Sequence, residues 1–458
     1  MIHVFRKEFQ RAVLSGSFIV CLSGSVVLFA LCAFFFVSEY REIAGPPLTS
    51  EEPSTRGVGV RKPLSPLGFC VHDAGAFARI SPGTVGDVRF VAQKRNFKLP
   101  SHVRFDWVFV VVVVFGITGI VLSYSTINGE KEDGTLSLML SYSIPRSTVF
   151  LGKYFALTVA TALPLLVGAL AGLLIVETMG PAGAIWDNAG RIGSFLLFSG
   201  LFVSLIVLLS LFVSAVTHRS AIAALILLAI WAFWTFLIPG VSRLLVSKVR
   251  PLPSELEMAS RLGPMMQREV WGKINEIRKR VKAGEVISRA EVLKLSDEAF
   301  IEGQKKIVAL RKDIRRTKEA HAEVSRDISR LSPVAAFRYG AEALLNLGHV
   351  GIKRFRRDVE RYASIYDGYV VSKIGKLVTA SNWTFATTIR VGKERVGIRS
   401  PHPEEYAGDM DDFPAFTPSH RSLSDALSEA VLDLAILFGW NIVLFAAGFV
   451  AFVRYDVR

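Results

Sequence analysis

Between Asn128 and Ser141 the chain places Glu130, Lys131, Glu132 and Asp133 between two glycines, Gly129 and Gly134, and follows them with Leu136, Leu138, Met139 and Leu140. The glycines are helix-stop and turn residues. Thr135 is a candidate cap for a new short helix, and the acidic groups suit helix N-termini. Pro145 limits that helix, because the residue before a proline is pushed out of helical geometry. The chemistry such a stretch supports is recognition. A capped, amphipathic hairpin can lie at a membrane surface and present an acidic tip to a soluble partner. The plainer reading is a solvated loop.

Other chemistry is missing. No Gly-rich phosphate loop ending in Gly-Lys-Ser/Thr occurs, so the chain is not its own ATPase by that route. It has no His-Glu-x-x-His and no Gly-x-Ser-x-Gly, and its eight histidines are scattered. His321 reads as a packed core histidine rather than a ligand. The three cysteines have no spacing of a disulfide framework or zinc site. The sequence thus points to no catalytic residue, metal or cofactor of its own. A net charge of +14 fits nucleic acid or an anionic lipid surface, but no aromatic-basic binding pattern accompanies it. No nucleic-acid partner is therefore expected. The basic helix face Arg311, Lys312, Arg315, Arg316 and Lys318 reads first as solvated surface and second as contact with an anionic headgroup or acidic partner.

The elements that must position the hairpin are membrane spans. Mean hydropathy is +0.40, and 51% of the 458 residues are hydrophobic, which together with long apolar runs excludes an ordinary soluble chain. Six runs, Ser17–Val37, Trp107–Tyr124, Phe150–Val176, Ile192–Val216, Ala221–Val246 and Leu432–Phe452, approach or exceed the ~30 Å of a bilayer core at about 1.5 Å per residue. The first is too long for a signal-peptide core and ends in Phe34, Phe35 and Phe36 without a small-residue cleavage site, so it is read as a retained span. Val4, Phe5 and Phe9, interleaved with Arg6, Lys7 and Arg11, predict a short interfacial helix before it. Pro164 is expected to kink the third span. Within the spans Asn441 reads as interhelical glue, whereas Asp106 and Asp433, at outer span ends, read as facing water. Small residues Gly116, Thr118, Gly119 and Ser123 allow close helix approach in the second span.

Arg6, Lys7, Arg11, Lys131, Arg146, Lys153, Arg219, Arg454 and Arg458 flank the spans on one side, while the loop 177–190 carries no Lys or Arg. The positive-inside rule then puts both termini and the hairpin in the cytoplasm. The expected domains are 1–37, an interfacial helix and first span; 38–106, an extracytoplasmic loop rich in Pro, Gly and charge; 107–246, spans two to five with the hairpin 128–146; 247–429, an extracytoplasmic helical domain; and 430–458, the sixth span and a cytoplasmic C-terminus. In the large domain Leu293, Phe300, Ile307, Ile314, His321 and Ile328 recur every seven residues, with Leu310, Val324 and Leu331 as a second row, a coiled-coil-like stripe. Pro264 is expected to break the segment before it. Val270, Ile274, Ile277 and Val281 then give the second arm of a helical hairpin, and Ser332-Pro333 starts a further helix to about Val371. The fold class is all-α: a polytopic membrane protein with six transmembrane helices and a large helical, coiled-coil-like extracytoplasmic domain.

The order of residues from Ile127 to Leu136, then Leu140 to Ser147, then Phe150-Leu151-Gly152-Lys153-Tyr154 resembles the cytoplasmic loop of type-2 ABC exporter permeases, in the branch that includes copper-enzyme maturation and gliding-motility permeases. Weaker echoes lie at Thr217–Ser220 with Trp231 and Pro239, and at the ending Phe452–Val457. The resemblance implies a permease subunit that works with a separate ABC ATPase subunit, which would bind the ATP. It implies a second permease chain, identical or homologous, and a multi-pass place in the bacterial plasma (inner) membrane, in contact with membrane lipid. An outer domain of this size leaves room for an extracytoplasmic accessory protein. The coupling-loop residues expected to meet the ATPase are Glu130, Lys131, Glu132, Gly134, Thr135 and Arg146. The competing reading is a membrane-anchored envelope scaffold or sensor without transport.

Overall fold

The computed structural model describes residues 1–44, 107–346 apart from 142–143, 181–182, 184, 250, 252–254, 284 and 286–287, parts of 351–365, two strands between 387 and 398, and 422–455. Beyond Ala44, the expected loop 38–106 lies outside the described residues. A short helix α1 (Ile2–Val13) leads into α2 (Gly16–Ala44). The second span opens as Trp107–Phe109, widens into a π-helical stretch Val110–Phe115 and continues as α3 (Gly116–Ser123). The hairpin holds α4 (Asn128–Glu132) and α5 (Thr135–Ser141). Then come α6 (Arg146–Met179), α7 (Ala189–Val216), α8 (Ser220–Ala232), a second π-helical stretch Phe233–Leu237, and α9 (Ile238–Val249). The last span is the final helix, Leu423–Val453. The six expected spans thus coincide with the six helices that, among the described residues, are long and apolar enough to cross a membrane.

Helix α7 is the axis of the bundle. Of its apolar window 72% is buried, against 22% for the fifth span. Phe195, Phe198, Phe202, Val203, Leu205, Ile206 and Leu208 are all inside. Around it, α2 packs on α6, where Gly168 and Gly172 let Phe29 approach the backbone: an added Cβ at Gly168 would stand 2.7 Å from Phe29. Ser25 Oγ donates to Pro164 O at 2.9 Å across the same seam, and α6 continues past that proline. A π-helical turn leaves a carbonyl without its usual partner, and each of the two here receives a side chain from elsewhere. Trp231 Nε1 donates to Val112 O at 3.3 Å. Ser332 Oγ donates to Trp234 O at 2.8 Å.

The segment between the fifth and sixth spans contains α10 (Glu255–Met266), a π-helical stretch Gln267–Gly272, α11 (Lys273–Lys282), α12 (Arg289–Ser329) and α13 (Pro333–Leu344). The break expected at Pro264 does not occur. The helix runs through it and widens directly afterwards, which accommodates the missing N–H and the crowded turn. The helical hairpin α11–α12 forms as expected, with Ile274, Ile277, Ile307 and His321 buried. Hydrogen bonds from Lys306 hold the Glu269 carboxyl below the ordinary glutamate range, and those from Lys273 and Lys306 do the same for Glu302. Glu302 and Lys306 are exposed and Glu269 and Lys273 half-buried, and such surface pairs contribute little to stability. The second row of the stripe is corrected, since Val324 and Leu331 face outward. The inner face at this end is His321, Ser325 and Ser329 at four-residue spacing, because it packs on α9, where Ser242 Oγ lies 2.6 Å from Ser329 Oγ.

Helix α13 also departs from expectation. It stops at Leu344, followed by Asn346 at φ 57°; the residues described between 351 and 365 are helical again, so the stretch expected to about Val371 is interrupted rather than continuous. It is embedded in the bundle, with Phe337 stacked on Phe198 at 5.2 Å and on Phe202 at 4.7 Å. Arg330, just before it, donates to Asp433 of the final helix at 2.7 and 3.2 Å. Asp433 is therefore buried in an ion pair rather than facing water, while Asp106 lies outside the described residues. A two-stranded antiparallel hairpin, β1 (Thr387–Val391) with β2 (Glu394–Ile398), pairs Ile389 with Val396 and is the one non-helical element among the described residues. The final helix, now α14 (Leu423–Val453), closes the bundle against α7.

Candidate functional site

The hairpin between α3 and α6 is tied into four other elements. At its entry Ile127 N and Asn128 N donate to Ser214 Oγ at 3.1 and 3.0 Å, and Asn128 Nδ2 donates to Thr217 Oγ1 at 3.2 Å. These contacts hold the hairpin to the corner where α7 ends and α8 begins. A helix C-terminus leaves carbonyls free and an N-terminus leaves N–H groups free, with partial charges of opposite sign. The adjacent pair Lys131 and Glu132 matches that corner. Lys131 Nζ donates to Ala215 O and, at 3.1 Å, to Thr217 O, and lies 4.4 Å from the ring centre of Tyr455. Glu132 accepts from Ser220 N at 2.9 Å and from Ser220 Oγ at 2.8 Å.

Glu130 turns the other way. It is 4% exposed, and its carboxylate lies 2.9 Å from Lys153 Nζ of α6. This contact is an ion pair without hydrogen-bond alignment at Oε2. Lys153, itself fully buried, donates to Glu8 Oε1 of α1 at 2.8 Å and to Thr126 O at 3.2 Å. Two carboxylates thus share one ammonium. The acidic tip expected at 130–133 is corrected to this extent: Glu130 is interior, facing the buried ammonium that it shares with Glu8. Lys153 is likewise not a headgroup-facing flank charge. Its place one turn inside the apolar stretch Val149–Leu157 is the available signal, since an ionisable residue within a span implies a partner. Sequence reasoning missed Glu8, Ser214 and Ser220.

The turn Asp133–Gly134 is exposed, and Gly134 adopts φ 69°, a region that favours glycine. Thr135 is the first residue of α5, and its hydroxyl donates back to Glu130 O at 3.4 Å. Leu136 is buried whereas Leu138 is 64% exposed, so α5 keeps one apolar face inward and one large apolar side chain outward. Pro145 sits at the N-cap of α6. Arg146 Nη1 then donates to Val453 O at 2.6 Å and Tyr455 O at 2.9 Å, holding the end of α14. Deeper in the bundle, Ser204 Oγ donates to Asn441 Oδ1 at 2.8 Å and lies 2.8 Å from the Tyr154 hydroxyl. Asn441 is the interhelical glue it reads as in the sequence.

Of the six residues expected at a partner surface, Glu132, Gly134 and Thr135 are exposed, Lys131 and Arg146 are half-buried on helix ends, and Glu130 is inside. Residues 2–457 match the family described as ABC-2 family transporter protein. Over 125 residues the chain is 33% identical to the probable ABC transporter permease protein NosY of Pseudomonas aeruginosa, covering 26% of this chain and 44% of that protein. Over 119 residues it is 30% identical to the protein of the same description from Stutzerimonas stutzeri, covering 25% and 42%. The chain spans less than half the length of these curated relatives.

Proposed function

This chain belongs to the ABC-2 transporter family, and we propose that it is the membrane-spanning permease subunit of an ABC exporter. Its partner is a separate ATPase subunit that binds and hydrolyses ATP, and a second permease chain completes the complex. The hairpin and both termini face the cytoplasm of a bacterial inner membrane. Residues 247–429 then lie outside, where an accessory protein can reach them. The observation that supports this reading is the set of helix ends held by one hairpin. Lys131 and Glu132 hold the corner between α7 and α8, Arg146 holds the end of α14, and Glu130 holds α6 through Lys153. A force applied to the hairpin would reach four spans through these ties.

The docking face is the outer side of the hairpin, from Glu132 to Leu138, with Gly134 and Thr135 at the turn. Closure of an ATPase dimer would move this face, and the buried ties would turn the displacement into a shift of the spans. Leu138 is the anchor, since an exposed leucine among polar neighbours fits an apolar socket better than an acidic tip does. The test is affinity purification of the tagged chain in mild detergent. A phosphate-loop ATPase co-elutes with the wild type, and Leu138→Asp loses it at unchanged expression. Absence of any ATPase from the wild-type eluate favours a membrane-anchored scaffold or sensor instead.

A further inference from the structure

Helix α1 carries one acidic residue, Glu8, and turns it inward, while Arg6, Lys7 and Arg11 are exposed. Glu8 is 3% exposed and meets Lys153 one residue from Gly152, where an added Cβ would stand 2.9 Å from Val4 Cγ1. Helix α1 is thus apposed to α6 at the turn that also holds Glu130. We propose that Lys153 is a positioning residue that joins α1 to the hairpin through Glu8 and Glu130, so that α1 and the hairpin move as one body during coupling. This inference rests on the permease reading above and adds α1 to the part of the chain that follows the ATPase.

The charge count makes the idea testable. Two buried carboxylates face one buried ammonium, so removing the Glu8 charge leaves a neutral Lys153–Glu130 pair and no unpaired ion. Glu8→Gln should therefore insert and bind the ATPase as the wild type does, yet release α1 from the hairpin. Lys153→Met, by contrast, leaves two carboxylates unpaired and is unsuited to the test.

Reporter labels at the exposed positions 10 and 133 read the α1–hairpin distance by pulsed electron spectroscopy in the reconstituted full chain with its ATPase, with and without nucleotide. In the wild type one narrow distance persists in every nucleotide state. In Glu8→Gln the distribution broadens even without nucleotide, and ATP turnover coupled to the permease falls roughly tenfold, a size usual for coupling between sites. Glu8→Asp restores the narrow distance and most of the turnover. An unchanged distribution in Glu8→Gln overturns the inference, whether or not turnover falls. If no ATPase binds the wild type, the permease reading fails, and the nucleotide-free distances still decide whether Lys153 joins α1 to the hairpin.

Discussion

Removing the ammonium from the buried triad is a severe change for a single side chain, because it strands two buried carboxylates. Lys153→Met keeps a chain of similar length in the same space and deletes the cation that lies 2.8 Å from Glu8 and 2.9 Å from Glu130. Removing one partner of a buried ion pair costs about 3–5 kcal/mol, because the remaining charge is uncompensated. Here two carboxylates remain, and Thr126 O also loses its donor, worth about 1 kcal/mol. The expected loss is therefore about 4–6 kcal/mol, much of the stability of an ordinary domain. The triple variant Glu8→Gln, Lys153→Met, Glu130→Gln removes every charge and should lie within about 1–2 kcal/mol of the wild type, since buried ion pairs are often replaceable by neutral side chains. Unfolding of the purified chains in graded denaturing detergent ranks them. The expected order is wild type and triple variant together, with Lys153→Met far below. If Lys153→Met equals the wild type, the triad is solvated in the membrane-embedded protein. If the triple variant is as unstable as the single one, packing and not charge holds the site.

Three further outcomes follow from other parts of the chain. Glu132→Ala removes the acceptor of Ser220 N and Oγ and should loosen the start of α8, read as faster hydrogen exchange at its first turn; unchanged exchange there means the cap is idle. Gly116→Ala places a Cβ 2.4 Å from Trp231 Nε1, so the indole loses Val112 O and the fluorescence of the protein should shift, which an unchanged spectrum contradicts. Asp133→Cys should resist an impermeant thiol reagent added outside intact cells while Lys312→Cys reacts, and the reverse pattern would invert the topology.

The sequence by itself determined the spans, the hairpin and the helical arm, because each is written in local terms. A run of apolar residues long enough to cross a bilayer, a glycine at a turn and a seven-residue stripe need no knowledge of what lies opposite. Six helices, the positive φ of Gly134 and the buried Ile307 agree with those expectations. Asn441 was legible for the same reason, since an amide within a span needs a hydrogen-bond partner wherever it comes from. The tertiary structure alone decided which way the charged side chains of the hairpin turn. Glu130 and Glu132 are two residues apart in one short turn, yet one meets α6 and the other caps α8. Glu8 finds Lys153 across 145 positions of chain. Asp433 looked like a span-end group facing water until α13 inserted beside it and brought Arg330 to its carboxylate. An ion's environment is set by whatever packs within a few ångströms of it, and chain distance carries almost no information about that neighbour. Burial also makes the pairing obligatory, because an uncompensated charge cannot remain in a low-dielectric interior.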